Sequence, residues 1–270
     1  MVVKFQKTVS KGGRFNQIYV PKGMEGLIEA GDRVEVRLVG KQVQLHYSKE
    51  PERVSEFKEK LLREAFSFLS GIDCVSRIFV VGSFLTEKVS YNDIDVVLIT
   101  TGKDEGFEES VYNKLIEKFN LKFHIIAIEA ERFERLLKIC PLTKSMLSNF
   151  VCNKPMKLHD ERVVDRKHIR FLLMMPQDLL HIRLGSRIFF DNLRRLVTIE
   201  MFLRNRRLDP AAINSELEKL VKESLYKRAR NNEEIEANSV ESLRKLIRAK
   251  LALIEGLIAD GKKQGHARAY

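Results

Sequence analysis

Two short apolar runs, Ile78 to Val81 and Val96 to Ile99, put the tightest limit on what this chain can fold into. The loop between them opens with Gly82-Ser83 and closes, nine residues later, with Asp93-Ile94-Asp95. Apolar runs of this length, bounded by turn residues, read as neighbouring buried strands. The aspartates then have two readings. They are ordinary turn residues, or they are a working pair. Residues two apart on a strand point the same way, so Asp93 and Asp95 would share a cleft while Ile94 packs inward. Two such carboxylates repel unless a divalent cation lies between them, and Mg²⁺ takes hard oxygen ligands together with substrate phosphates. Gly82 lets the chain approach a phosphate closely. Ser83 and the N–H groups of a following helix start could hold β- and γ-phosphates.

The 270 residues leave room for two or three domains with cores of their own. Cys74, Cys140 and Cys152 are an odd set without metal-ligand spacing, which fits a reduced cytoplasmic protein better than a disulfide scaffold. No apolar run approaches the roughly 20 residues of a bilayer span, and the start of the chain lacks a secretory apolar core. No membrane role is therefore expected. The net charge of +11 is unevenly spread: about +4 in residues 1–50, −2 in 51–150 and +9 in 151–270. Basic flanks around a near-neutral centre point to an anionic partner, most simply nucleic acid. A solvated Lys/Arg-rich surface is the plainer alternative.

Residues 1–50 read as four short strands, "FQKTVSK", "NQIYVPKGM", "DRVEVRLV" and "QVQLHYS", with turns at Gly12-Gly13 and Gly40-Lys41. Four strands in so short a segment bury too little to stand alone. The strand leading into Pro21-Lys22, the Leu27 turn and "AGDRVEVRL" resemble the AbrB/SpoVT-type swapped-hairpin domain. That resemblance implies a homodimer whose hairpins interlace into one barrel. It also implies a possible DNA contact through Lys7, Lys11, Arg14 and Lys22, although dimerisation is the favoured role here.

Residues 51–140 alternate helices and strands as an α/β unit: a helix over about 54–70, strands at 77–81 and 94–100, a helix at 108–119, a strand at 122–128 and a helix at 130–139. A strand, Gly82-Ser83, then Asp93 and Asp95 leading the next strand is the pattern of the DNA polymerase beta-like nucleotidyltransferase superfamily, which residues 52–140 resemble. The resemblance implies that Asp93 and Asp95 bind Mg²⁺ or Mn²⁺, that Gly82 and Ser83 bind a nucleoside triphosphate, and that an incoming hydroxyl attacks the α-phosphorus. A third carboxylate is expected on the strand "LKFHIIAIE", where the matching position falls at His124. Imidazole suits Mn²⁺ or Zn²⁺ better than Mg²⁺. His124 thus reads as a substitute ligand, a general base, or a structural histidine.

Residues 141–261 read as a basic helical domain, ending at Gly261 and followed by a basic tail over 262–270. Arg183, Arg187 and Arg194 are spaced four and seven apart, as on one helix face, and Arg195, Arg204, Arg206 and Arg207 extend the charge. Lys227, Arg228 and Arg230 add to it. Arginine forks suit phosphate, so these ten residues form the candidate nucleic-acid surface. Phe189 and Phe190, at helical spacing, read as core. Arg162-x5-His168 is similar in spacing to HEPN ribonucleases but reads as charge at a helix start. The expected whole is an α+β multidomain homodimer: an N-terminal barrel, a central nucleotidyltransferase-like domain and basic helices. It is expected to bind structured RNA or a ribonucleoprotein such as a ribosomal subunit, with little or no catalysis. An active transferase on RNA or protein and an AbrB-like DNA-binding regulator are the alternatives.

Overall fold

The computed structural model of the chain describes residues 4–24, 26–37, 43–49, 54–87, 91–182 and 185–265. The chain divides into two compact units, residues 1–41 and 42–270.

In the first unit, β1 (Ser10–Lys11) pairs antiparallel with β2 (Asn16–Gln17), and a 3₁₀ turn, Lys22–Met24, follows Pro21. The expected barrel does not form among the described residues. Residues 33–37 of the third expected strand join no sheet among the described residues, with Val34 and Val36 63% and 66% exposed. Their alternation makes a buried face only when another strand lies beside them. Residues 38–42, with the Gly40-Lys41 turn, lie outside the described residues. The fourth expected strand belongs elsewhere. It is β3 (His46–Tyr47), and it pairs with a strand of the second unit.

The second unit continues with α1 (Glu56–Leu69), β4 (Val75–Val81), β5 (Ile94–Thr100), α2 (Phe107–Phe119), β6 (Phe123–Glu129), α3 (Ala130–Ile139), α4 (Pro141–Met146) and β7 (Phe150–Cys152). The sheet order is β3-β7-β4-β5-β6, antiparallel except where β5 lies beside β6. That parallel pair requires a crossover, which α2 supplies. Sheet parity sorts the core. Ile78, Val80, Val96 and Leu98 face one way, with Leu62, Phe66 and Leu69 of α1 and Leu115 of α2. Phe79, Val81, Val97 and Ile99 face the other way, with Phe133, Leu147 and Phe150. The sheet therefore extends past residue 140 to take in β7.

The helices α5 (Arg166–Asp178), α6 (Ser186–Leu203), α7 (Pro210–Leu220), α8 (Glu223–Arg230) and α9 (Ala237–Gly265) complete the unit. α6 is apolar on most sides, and Phe189, Leu193, Leu196 and Ile199 are fully buried. Around it pack α5, α7, α8 and the α9 stripe of Leu243, Ile247, Leu251, Ile254 and Ile258. α9 runs through Gly261, the expected stop, to Gly265. A glycine inside a helix costs only about 1 kcal/mol, which the rest of a long packed helix offsets. No helix among the described residues is long and apolar enough to cross a membrane. The α+β class expected from the sequence is the class observed.

Candidate functional site

At one end of the sheet, β4 finishes where β5 and β6 begin. Val81 sits opposite Asp95, and Asp95 opposite His124. This register makes Asp95 and His124 neighbours on the same sheet face as Val97, Ile99, Ile126 and Ile128. His124 Nδ1 donates to Asp95 Oδ1 at 3.0 Å. On the other side of that carboxylate lies Gly82, with φ +80°. A Cβ there would stand 2.3 Å from Asp95 Oδ2, so only glycine admits both the backbone conformation and the carboxylate. Asp95 is thus held between a glycine and an imidazole. Asp93 stands one residue before β5 and is partly buried, while Ile94 between the aspartates is 2% exposed.

Ser83 is exposed in a four-residue 3₁₀ turn, Gly82–Leu85, where a helix start was expected. The turn closes because Thr86 donates to the Ser83 carbonyl through both its N–H (3.1 Å) and its Oγ1 (2.7 Å). Thr86 itself is extended, so the turn does not run on as a helix.

One residue of this region went unread in the sequence. Lys58 of α1 is 5% exposed, and its Nζ donates to the Thr86 carbonyl at 2.8 Å. The ammonium lies 5.2 Å from the Phe84 ring and 5.5 Å from that of Tyr91, and burial lowers its pKa. It fastens the Gly82–Thr86 turn to α1. The signal was present: Lys58 precedes Leu61, Leu62 and Ala65 by three, four and seven residues, which is the buried face of that helix.

Among the described residues no three His, Cys, Asp or Glu side chains gather closely enough to hold a metal ion. Asp95 and His124 are brought together, and no hydrogen bond joins Asp93 to either of them among the described residues. Asp93, Asp95 and His124 therefore do not form a metal-binding set as they stand.

The basic residues form two groups along α6 rather than one stripe. Arg187 and Arg204 are separated by about 25 Å of helix axis. Near the start of α6, Arg187 pairs with Asp191 at 2.9 Å, lies over the Phe190 ring and donates to the Arg230 carbonyl. Arg194 and Arg195 are partly buried. Burial presses the Arg194 pKa down, with Asp191 and Tyr226 opposing and Arg187 and Arg230 adding to the shift. Lys227 pairs with Glu223 at 2.6 Å and Arg228 with Glu233 at 3.9 Å. At the other end, Arg204, Arg206 and Arg207 pair with Glu200, Glu216 and Asp209. Carboxylates thus stand beside most of the candidate phosphate contacts. Arg183 lies outside the described residues. Phe189 and Phe190 are core, 0% and 3% exposed. Arg162 and His168 serve different partners: Arg162 donates to the Arg206 carbonyl, and the His168 N–H to Asp165.

No protein-family model matches the chain, and no curated protein matches its sequence.

Proposed function

We propose that the chain is a nucleotidyltransferase-fold homodimer that binds structured RNA or a ribonucleoprotein through its basic helices, with little or no catalysis at Asp93 and Asp95. The observation that carries this reading is the Asp95–His124 hydrogen bond. His124 stands in register with Asp95, at the corner where the resembled family has a third carboxylate. An imidazole there leaves the site short of the negative charge that holds Mg²⁺. The exposed apolar side chains of the first unit support the dimer, since strands that bury nothing alone need a second chain. A twofold particle would bridge two identical targets.

The alternative of an active transferase draws on a different observation, the fit of the Asp95 carboxylate against Gly82. In that reading Asp93 would have to draw closer to Asp95 and His124 around a divalent cation, since the three do not gather as a metal site here. The metal would supply charge neutralisation on a nucleoside triphosphate. One assay separates the readings. Purified protein is given labelled nucleoside triphosphates with Mg²⁺ or Mn²⁺, beside an Asp93→Ala/Asp95→Ala control, and its co-purifying RNA is recorded. The binding reading expects no transfer and equal RNA retention by both proteins. Transfer by the wild type alone would establish an enzyme and end that reading.

A further inference from the structure

Where α7 and α8 meet, a cavity of about 580 Å³ is lined by Glu218, Glu223, Tyr226, Lys227, Arg230 and Asn231. Its volume falls in the range of small-molecule sites. Tyr226 is 4% exposed and packs edge-on against Phe190 at 5.3 Å, yet its buried hydroxyl has no hydrogen-bond partner. A buried hydroxyl left unpaired costs free energy, and in a folded protein it asks for an explanation. Arg194, on the next turn of α6 beyond Phe190, has Tyr226 and Arg230 among its electrostatic neighbours. Among the described residues the Arg194 and Arg230 side chains make no ion pair, and neither does Glu218. The other local charges are already matched, Lys227 by Glu223 and Arg187 by Asp191. Two unmatched guanidiniums against one carboxylate leave a positive surplus beside the cavity.

We propose that this cavity binds the phosphate monoester of a nucleotide. Arg230 supplies the planar fork, Arg194 adds positive charge from beside Tyr226, the Tyr226 hydroxyl donates, and Glu218 accepts from a ribose hydroxyl. The site lies apart from Gly82 and Asp95, and it does not require the RNA reading. A free mononucleotide and the phosphorylated end of an RNA strand carry the same group.

Calorimetric titration of the full-length protein tests this with four probes: inorganic phosphate, AMP, a 5′-phosphorylated RNA tetranucleotide and the same tetranucleotide with a 5′-hydroxyl. Binding of AMP or of the phosphorylated strand is expected, with the 5′-hydroxyl strand at least tenfold weaker. AMP binding identifies a free nucleotide as the source, and binding of the phosphorylated strand alone identifies an RNA end. Tyr226→Phe and Arg230→Gln should each weaken that binding about tenfold. Tyr226→Phe keeps the ring and loses a hydroxyl that had no partner, so its melting temperature should not fall. Failure of every probe to bind at millimolar concentration, or unchanged affinity in Tyr226→Phe, overturns the proposal. RNA retained by Tyr226→Phe through its other basic residues would leave the RNA reading standing, so the two can fail separately.

Discussion

The two units use similar residues to opposite effect. Among the described residues of 4–37 none is buried, and Val9, Phe15, Ile18, Tyr19, Val20, Leu27, Val34 and Val36 are all exposed. From residue 43 onward, valines, leucines and phenylalanines of the same kind build three apolar clusters. The difference lies in which backbone each segment forms. A helix such as α6 satisfies its own hydrogen bonds and needs only a surface to pack on, which α9 supplies from the same chain. A two-residue ladder such as β1–β2 satisfies almost none and needs further strands. Among the described residues the first unit buries none of its apolar side chains, and the second buries three clusters of them.

The sharpest test of that contrast pairs one phenylalanine from each unit. Phe79 is fully buried, with ring centroids 5.5 Å from Phe133 and 5.2 Å from Phe150. Phe79→Ala should cost about 3–5 kcal/mol in urea unfolding of the second unit. Phe15 is 78% exposed, and Phe15→Ala should leave that transition within about 0.5 kcal/mol. Equal losses would mean that the units unfold as one and that the contrast is false.

Next in size is the effect on assembly. If Val34 and Val36 face a second chain, Val34→Asp/Val36→Asp removes about 2 kcal/mol for each of the four side chains in a homodimer and weakens it on the order of a millionfold. Sedimentation equilibrium should find a wild-type dimer and a variant monomer, with the helical circular dichroism unchanged. A monomeric wild type at tens of micromolar would show that the exposed valines have another role.

How legible these features were depends on the distance between the partners involved. The strands at 78–81 and 96–99 were readable because a local run of buried residues announces itself. The helix at 130–139 was readable by its periodicity, and its observed bounds are the expected ones. The partner of His46–Tyr47 was not readable, because β7 lies about a hundred residues further on and nothing local encodes that pairing. The Asp95–His124 contact required the register of a parallel pair across α2, which no spacing fixes. The arginines were readable as charge but not as ion pairs, since partners such as Glu216 come from another helix.

A smaller effect contrasts two glycines. A Cβ on Gly13 would meet nothing within 4 Å, whereas one on Gly82 would collide with Asp95 at positive φ. Gly82→Ala should cost about 1–3 kcal/mol and disturb the imidazole NMR signals of His124, with Gly13→Ala near neutral. Undisturbed His124 signals in Gly82→Ala would mean that the carboxylate is not held as described.

The smallest expected effect is a pH dependence within the second unit. Glu216 of α7 accepts from Arg206 Nη2 and Lys219 Nζ, both at 2.8 Å, and these bonds pull its carboxyl from an ordinary 4.5 down to about 2. A folded pKa below the unfolded one stabilises the fold fully above pH 4.5, and that contribution fades as pH falls toward 2. Because Arg206 and Lys219 are largely in water, screening should keep the contribution under about 1 kcal/mol. Glu216→Gln should therefore lower stability slightly at pH 7 and flatten the acid side of the stability curve between pH 4.5 and 2, as read by urea unfolding at each pH. A variant curve parallel to the wild type across that range would show that the triad of Arg206, Lys219 and Glu216 is matched charge on the surface and nothing more.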